Sequence, residues 1–201
     1  MKKKILILAT LFTINFCFAQ SYHDSIQSFI DDYVNNHEVV TGENRSHLKF
    51  FSPDENYRVV AQFQKSPNPK WLQVETSSNQ KKTLRVYGTV TFKLQDTTVK
   101  LNVYQSQDLM QDPNYKDYLL LMFTDATTSK ESYEGGRYLD FTTTDIQNNS
   151  LMIDFNKAYN PYCAYETGKY NCPIPPIENR LPVAIRAGEK IYDKLEKTAK
   201  K

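Results

Sequence analysis

The sequence TLRVYGTVTFKLQDTTVKLNV occupies residues 83–103. Apolar or small residues take every second position from Leu84 to Leu94 and alternate with mostly polar neighbours. This period of two places alternate side chains on opposite faces of a β-strand. Residues 95–98, Gln-Asp-Thr-Thr, favour a turn into a second alternating run from Val99 to Val103. The stretch therefore predicts a β-hairpin.

The rest of the chain is predicted to be mostly β as well, with a helix at its start. Residues 21–37 have Ile26, Phe29, Ile30 and Val34 at spacings of three and four, which predicts an amphipathic helix. Further strands are predicted at Tyr57–Gln64, Leu72–Thr76, Tyr118–Thr124, Arg137–Phe141, Leu151–Asn156 and Val183–Arg186. Alternation on single faces is typical of sheets that bury one side. We expect a mainly β fold of the α+β type, an antiparallel β sandwich or open barrel with an N-terminal helix.

The first residues have the pattern of an export signal. Three lysines at residues 2–4 precede an apolar run at residues 5–18, and Ala19 is the small residue at which such signals are cleaved. A retained membrane anchor and lipid attachment at Cys17 are the alternatives. The apolar run is shorter than the about 20 residues that span a bilayer, and the residues before Cys17 are not small. We expect cleavage after Ala19, a periplasmic or extracellular location, and no stable membrane span after cleavage.

Removal of residues 1–19 changes the charge of the chain. The whole sequence has 25 basic and 23 acidic residues, for a net charge of +2. Without the three lysines, 22 basic residues remain against 23 acidic ones, so the mature chain has a net charge of −1. No basic surface for nucleic acid is expected. Residues 20–201 are predicted to form a single domain that ends in a charged tail at Gly188–Lys201, helical over a short stretch at most.

Common catalytic motifs are missing from the chain. The sequence has no Gly-x-Ser-x-Gly elbow, no His-Glu-x-x-His pair and no glycine-rich phosphate loop. Its histidines, His23, His37 and His47, all lie in the first third and are interpreted as solvated side chains. No metal site and no cofactor are predicted.

The most distinctive part of the chain lies between residues 123 and 190. Residues 123–140 read FTDATTSKESYEGGRYLD, residues 154–165 read DFNKAYNPYCAY, residues 172–181 read CPIPPIENRL and residues 187–190 read AGEK. This set resembles the bacterial family catalogued as domain of unknown function 1684, most specifically from Asp125 to Lys190. Ser132 and Glu134 stand where that family usually has Thr and Gly. The family has no assigned reaction, so the resemblance implies no mechanism.

Two cysteines remain once the signal is removed. Cys163 and Cys172 lie in the proline-rich segment at residues 159–180, which is predicted to be an ordered loop. An even pair in an oxidising compartment favours a disulfide. A thiol pair and a metal site are the alternatives, although zinc needs two more ligands and no histidine lies nearby in sequence.

The candidate ligand site combines the segment Gly135–Asp140 with the loop Tyr159–Asn179. Arg137 is interpreted as an anion-binding fork or, alternatively, as one half of an internal ion pair with Asp140, Asp154 or Glu189. Tyrosines beside asparagine amides suit a sugar or a peptide end, although the same residues also serve to pack and tie a loop. The candidate ligand-binding residues are Arg137, Asp140, Asp154, Asn156, Tyr159, Asn160, Tyr162, Asn179 and Glu189.

The predicted function is that of a secreted or periplasmic domain that binds a small anionic, sugar or peptide-end ligand. The first alternative is a hydrolase that uses Asp154 and Glu189 for acid–base catalysis with Arg137 as anion stabiliser. The second is a structural or envelope-interaction module without a small-molecule site. A flavin-binding barrel is a further alternative, which rests on analogy of fold alone.

Overall fold

The computed structural model describes residues 21–193. The predicted signal peptide at residues 1–19 and the end of the predicted tail at residues 194–201 lie outside the described residues. The predicted helix is present as α1, residues 21–36. Its apolar stripe is buried at Ile26 and Ile30. No helix among residues 21–193 combines the length and the apolar character needed to cross a membrane.

Seven antiparallel strands form one sheet that curls into a half-barrel. The strands are β1 (Arg58–Lys65), β2 (Trp71–Glu75), β3 (Lys81–Leu94), β4 (Thr97–Ser106), β5 (Tyr118–Phe123), β6 (Arg137–Thr142) and β7 (Ser150–Asp154). Their order is β6-β5-β4-β3-β1-β7, and β2 pairs with the part of β3 that β1 leaves free. The mainly β fold with an N-terminal helix is therefore confirmed, in its open-barrel form.

The predicted hairpin is formed by β3 and β4, whose strands are longer than expected. Leu94 pairs with Thr97, so that the turn is only Gln95 and Asp96. Gln95 has a φ of 52°, the left-handed region that a two-residue hairpin turn uses. A bulge between Val86 and Gly88 interrupts the ladder. A Cβ at Gly88 would lie 2.3 Å from the Phe63 ring, so only glycine allows β1 and β3 to pack this closely there.

The two faces of the sheet bury different residues. The first, which we call the core face, carries the larger apolar cluster, including Phe63, Leu101, Leu121 and Phe123. The C-terminal segment covers it with Leu181, Ile185 and Ala187. The second, which we call the groove face, carries Leu84, Tyr104, Leu120, Met122 and Tyr138. Side chains of α1 lie across a depression from the groove face.

One predicted strand is absent. Residues Val183–Arg186 form no strand, because their carbonyl groups accept hydrogen bonds from scattered partners instead of a neighbouring strand. Val183 accepts from the backbone of Ala126 at 3.2 Å, and Ile185 accepts from the Arg137 side chain at 2.8 Å. The remaining strands outside the hairpin agree with their predicted bounds within two residues.

The predicted charged tail is also different where it is described. Residues 188–193 contain no helix. Glu189 is fully buried and forms a β-bridge with Phe50, and Tyr192 is buried against a small apolar cluster. These residues belong to the domain because their backbone and side chains contact other parts of it. The charged composition of the tail gave no indication of these contacts.

Candidate functional site

A groove of about 1100 Å³ separates α1 from the groove face of the sheet. Phe29 and Tyr33 line it from α1, and His37 lines it from the position after the helix. Leu120 and Asp140 line it from β5 and β6. The loop at residues 159–180 closes one end with Tyr162, Tyr170 and Cys172. The groove is therefore built by three parts of the chain that are far apart in sequence.

Asp140 is the polar group at the sheet side of the groove. It pairs with Leu120 in the β5–β6 ladder, and its side chain is accessible to water. The hydroxyl groups of Tyr118 and Tyr159 donate hydrogen bonds to its Oδ1 atom at 2.6 and 2.7 Å. No described residue donates a hydrogen bond to Oδ2, and no cation of residues 21–193 forms an ion pair with Asp140. One carboxylate oxygen is thus available to a ligand.

The protonation states of this cluster follow from its surroundings. Desolvation raises the pKa of the Asp140 carboxyl, and the two tyrosine hydrogen bonds oppose that shift. Water reaches the carboxylate through the groove, yet the protein atoms around it are close enough to weaken its hydration. Desolvation and the nearby Asp140 charge raise the pKa of Tyr118 and Tyr159 well above normal, so both remain neutral hydrogen-bond donors.

Tyr162 connects the loop to the segment that follows α1. Its hydroxyl group donates to Glu38 Oε2 at 2.7 Å, and its ring lies 5.1 Å from that of Tyr170. Desolvation raises the pKa of Tyr162 to about 12. On the sheet side, Tyr138 donates to the backbone carbonyl of Pro173 and packs edge-on against Tyr159 at 6.0 Å. The tyrosines therefore hold the groove walls together as neutral phenols.

Cys163 and Cys172 form a disulfide, which confirms the favoured interpretation of this pair. The disulfide stabilises the folded state by about 2–3 kcal/mol, because it reduces the conformational entropy of the unfolded chain. Backbone hydrogen bonds tie the loop to the chain around β2, from Ser77 to Cys172 at 3.0 Å and from Ile174 to Glu75 at 2.8 Å. The disulfide keeps Tyr162 and Tyr170 at the end of the groove.

Arg137 does not belong to the groove, which corrects the predicted site. Its side chain is 1% exposed and its guanidinium pairs with Asp125 at 2.6 Å, not with the carboxylates of Asp140, Asp154 or Glu189. It also donates to the backbone carbonyls of Ile185, Ala187 and Glu189. Residues 137 and 140 are an odd number of positions apart on one strand, so they face opposite sides of the sheet. That spacing was the available signal that the two residues do not share a ligand.

Three predicted asparagines are also structural. Asn156, Asn160 and Asn179 are at most 1% exposed. Asn156 accepts from the backbone of Asp54 at 2.9 Å and donates to its carbonyl at 2.8 Å. Asn179 bonds the backbone of Met122 and Asn102, and Asn160 donates to the carbonyl of Lys190 at 2.8 Å. They tie loops to the sheet and do not contact a ligand in the groove.

The proposed acid–base pair, Asp154 and Glu189, is split between two hydrogen-bond networks. Asp154 lines the groove and accepts from Tyr22 at 3.0 Å and from Asn156. Glu189 is fully buried and accepts from Tyr165 at 2.7 Å, from Tyr33 at 3.2 Å and from the backbone of Asn160. No hydrogen bond of the described residues links the two carboxyls. Because Glu189 is fully buried, its carboxyl does not face the groove that Asp154 lines, and the hydrolase hypothesis gains no support.

Comparison with known proteins assigns the chain to a family. A family described as "Protein of unknown function (DUF1684)" matches residues 44–190. The chain belongs to this family. The bacterial origin attached to the resemblance stays a prediction. No curated protein is similar enough to the chain to count as a match.

The DUF1684 fold has a solved relative. A solution NMR structure of an uncharacterized protein from Haloarcula marismortui is 29% identical to the chain, with a TM-score of 0.63. The similarity covers 86% of this chain and 95% of that one. The relative's description names no ligand, so the comparison concerns the fold alone. The groove of this chain is interpreted from the residues that line it.

The DUF1684 match begins after α1, and α1 with the residue that follows it supplies the groove residues missed in the sequence. Phe29, Tyr33 and His37 recur at a spacing of four, which places aromatic rings on one side of the helix. His37 is buried, so its interpretation as a solvated side chain is wrong. Its Nδ1 atom accepts from the backbone of Val39 and Val40 because the helix ends there. The described residues hold no group of three or more potential metal ligands.

Proposed function

We propose that the domain binds a small ligand in the groove between α1 and the sheet. The observation that carries the proposal is a cavity of about 1100 Å³ with aromatic walls and a water-accessible carboxylate, Asp140, whose Oδ2 atom no described residue binds. Concave, mostly apolar surfaces with a few polar groups are the usual form of small-molecule sites. The loop that closes the groove is held by a disulfide, which keeps the site preformed.

The charge of the groove narrows the range of ligands that it can bind. With Arg137 buried on the other face, the predicted anionic ligand loses its main partner. The acidic lining residues are Asp32, Glu38, Asp140, Asp145 and Asp154, against the basic Arg58, Lys82 and Lys157. This excess of carboxylates disfavours anionic ligands, including the phosphate of a flavin. The ligands that remain are neutral or cationic, and no cofactor is proposed.

Truncating Tyr162 is expected to weaken ligand binding by about tenfold, because its ring forms one end of the groove. Native mass spectrometry of protein purified from its own cells measures the occupancy of a retained ligand. Tyr162→Ala should carry less of it than the unaltered domain. Trp71→Ala is the matched control, since Trp71 is 39% exposed against 36% for Tyr162 and does not line the groove. Equal losses of ligand in both variants would reject the groove as a binding site. So would the absence of a retained ligand, if no compound of a fragment library shifts an NMR resonance of the groove residues.

We also infer that the protein is exported and loses residues 1–19. The support is the disulfide, since such bonds persist in oxidising compartments, together with the lysine and apolar segments at the start of the sequence. The intact mass of protein from its native cells should equal residues 20–201 less two hydrogens. A mass that includes residues 1–19 would contradict cleavage, and two additional hydrogens would show that the disulfide does not form there.

A further inference from the structure

Asp140 has an uneven hydrogen-bond arrangement. Tyr118 and Tyr159 both donate to the same oxygen, Oδ1. These bonds fix the position of the carboxylate and leave Oδ2 without a donor among the described residues. An ionised carboxylate only accepts hydrogen bonds, so Oδ2 keeps its acceptor capacity for a donor in the groove.

The surroundings of this carboxylate are aromatic. Tyr118 and Tyr159 contact Asp140 directly through their hydroxyl groups, and Tyr138 lines the same groove beside Tyr159. Tyr138 and Tyr159 pack edge to face, and Tyr162 lines the same groove from the loop. The π-faces of such rings attract cations, and the attraction grows where water is partly excluded.

The negative charge of Asp140 lacks a cationic partner among residues 21–193, although desolvation makes an uncompensated charge costly there. We propose that Asp140 and the tyrosines of the groove form a subsite for the ammonium group of a small ligand. The ammonium group donates to Oδ2 and lies against the tyrosine rings. This inference rests on the proposed function, since it names the ligand class for the same groove.

Other ligand chemistries fit the subsite less well. A sugar hydroxyl pairs with Oδ2 but leaves the charge uncompensated. Sugars also use amide groups, and the asparagines expected to provide them are buried in bonds to the backbone or to the side chains around them. A divalent cation needs several oxygen ligands, and the described residues supply no cluster of three acidic, histidine or cysteine side chains. An ammonium group matches both the single carboxylate and the rings.

The test compares two probes that differ in charge but little in shape. Benzylamine, protonated at neutral pH, and benzyl alcohol are titrated into the full mature domain, and amide chemical shifts of the groove residues are followed by NMR. We expect benzylamine to bind about tenfold more tightly than benzyl alcohol. Asp140→Asn should abolish that preference. Asp96→Asn, in the exposed hairpin turn, removes the same charge far from the groove and should retain it.

A second arm distinguishes the possible sources of the ammonium group. Phenylalanyl-glycyl-glycine is compared with its N-acetylated form. If the free peptide binds and the acetylated one does not, the subsite captures a peptide N-terminus. If benzylamine binds and neither peptide does, the natural ligand is a small amine. Equal binding of benzylamine and benzyl alcohol would overturn the ammonium subsite while leaving the groove as a ligand site. A preference that survives in Asp140→Asn would overturn it as well. If no probe shifts a groove resonance and no ligand is retained from cells, both proposals fail. The probe comparison on the unaltered domain decides the question even if Asp140→Asn does not fold.

Discussion

Replacing Arg137 with methionine is expected to lower the free energy of unfolding by about 3–5 kcal/mol. The substitution leaves the Asp125 carboxylate, whose side chain is 0% exposed, without a cation. It also removes the donor for the carbonyls of Ile185 and Ala187, which lie in the segment covering the core face. Burial lowers the pKa of the Arg137 guanidinium while Asp125 raises it, and an arginine so paired stays charged. Urea denaturation followed by circular dichroism measures the loss.

Arg186→Met is the matched control. Arg186 pairs with Glu131 at 2.9 Å, but the Arg186 side chain is exposed and that of Glu131 is partly exposed. Exposed pairs contribute little, so this variant should unfold close to the unaltered protein. A double variant, Arg137→Met with Asp125→Asn, should recover part of the loss because it no longer buries an unpaired charge. Equal destabilisation by Arg137→Met and Arg186→Met would contradict the structural role assigned to Arg137.

The position of Arg137 shows what strand periodicity can predict about a site. The alternation in residues 83–103 was sufficient to predict the hairpin, since side-chain period and turn residues are both local properties. The same rule applied to β6 separates Arg137 from Asp140, and only its chemistry had suggested that Arg137 binds a ligand. The strand predicted at Val183–Arg186 fails for a different reason: its carbonyl groups are used by Arg137 and other distant partners, which no local pattern encodes.

The groove itself was not predictable from local sequence. It exists because α1 lies across the groove face, and the docking of a helix depends on contacts between residues far apart in the chain. One such contact joins Tyr33 of α1 to Tyr165 at 3.0 Å, and the hydroxyl groups of both lie within hydrogen-bond distance of Glu189. The loop tyrosines and the disulfide were predicted because their residue types cluster in sequence. Glu189 was expected in the charged tail and as a candidate site residue, whereas its side chain is fully buried.

Stability is expected to fall as pH rises through the titration of Glu189. Full burial raises the pKa of this carboxyl from 4.5 to about 7, and hydrogen bonds from Asn160, Tyr165 and Tyr33 oppose the shift only in part. Between pH 4.5 and 7 the folded state therefore binds more protons than the unfolded state. Linkage then requires the free energy of unfolding to decrease with rising pH, by about 3 kcal/mol across that window. The stabilisation is complete below pH 4.5 and is lost above about pH 7.

Glu189→Gln isolates this contribution because glutamine keeps the shape of the side chain and does not titrate. Urea denaturation of both proteins at pH 5 and pH 8 should show a larger loss on raising the pH in the unaltered domain than in the variant. His37 acts in the opposite direction, since burial lowers its pKa and its stabilisation is lost as pH falls, but it is present in both proteins. Asp140, whose pKa is also raised, is present in both proteins and does not affect the comparison. Parallel pH dependence in the two proteins would show that Glu189 titrates normally, and that α1 is not held to the domain by a neutral carboxyl.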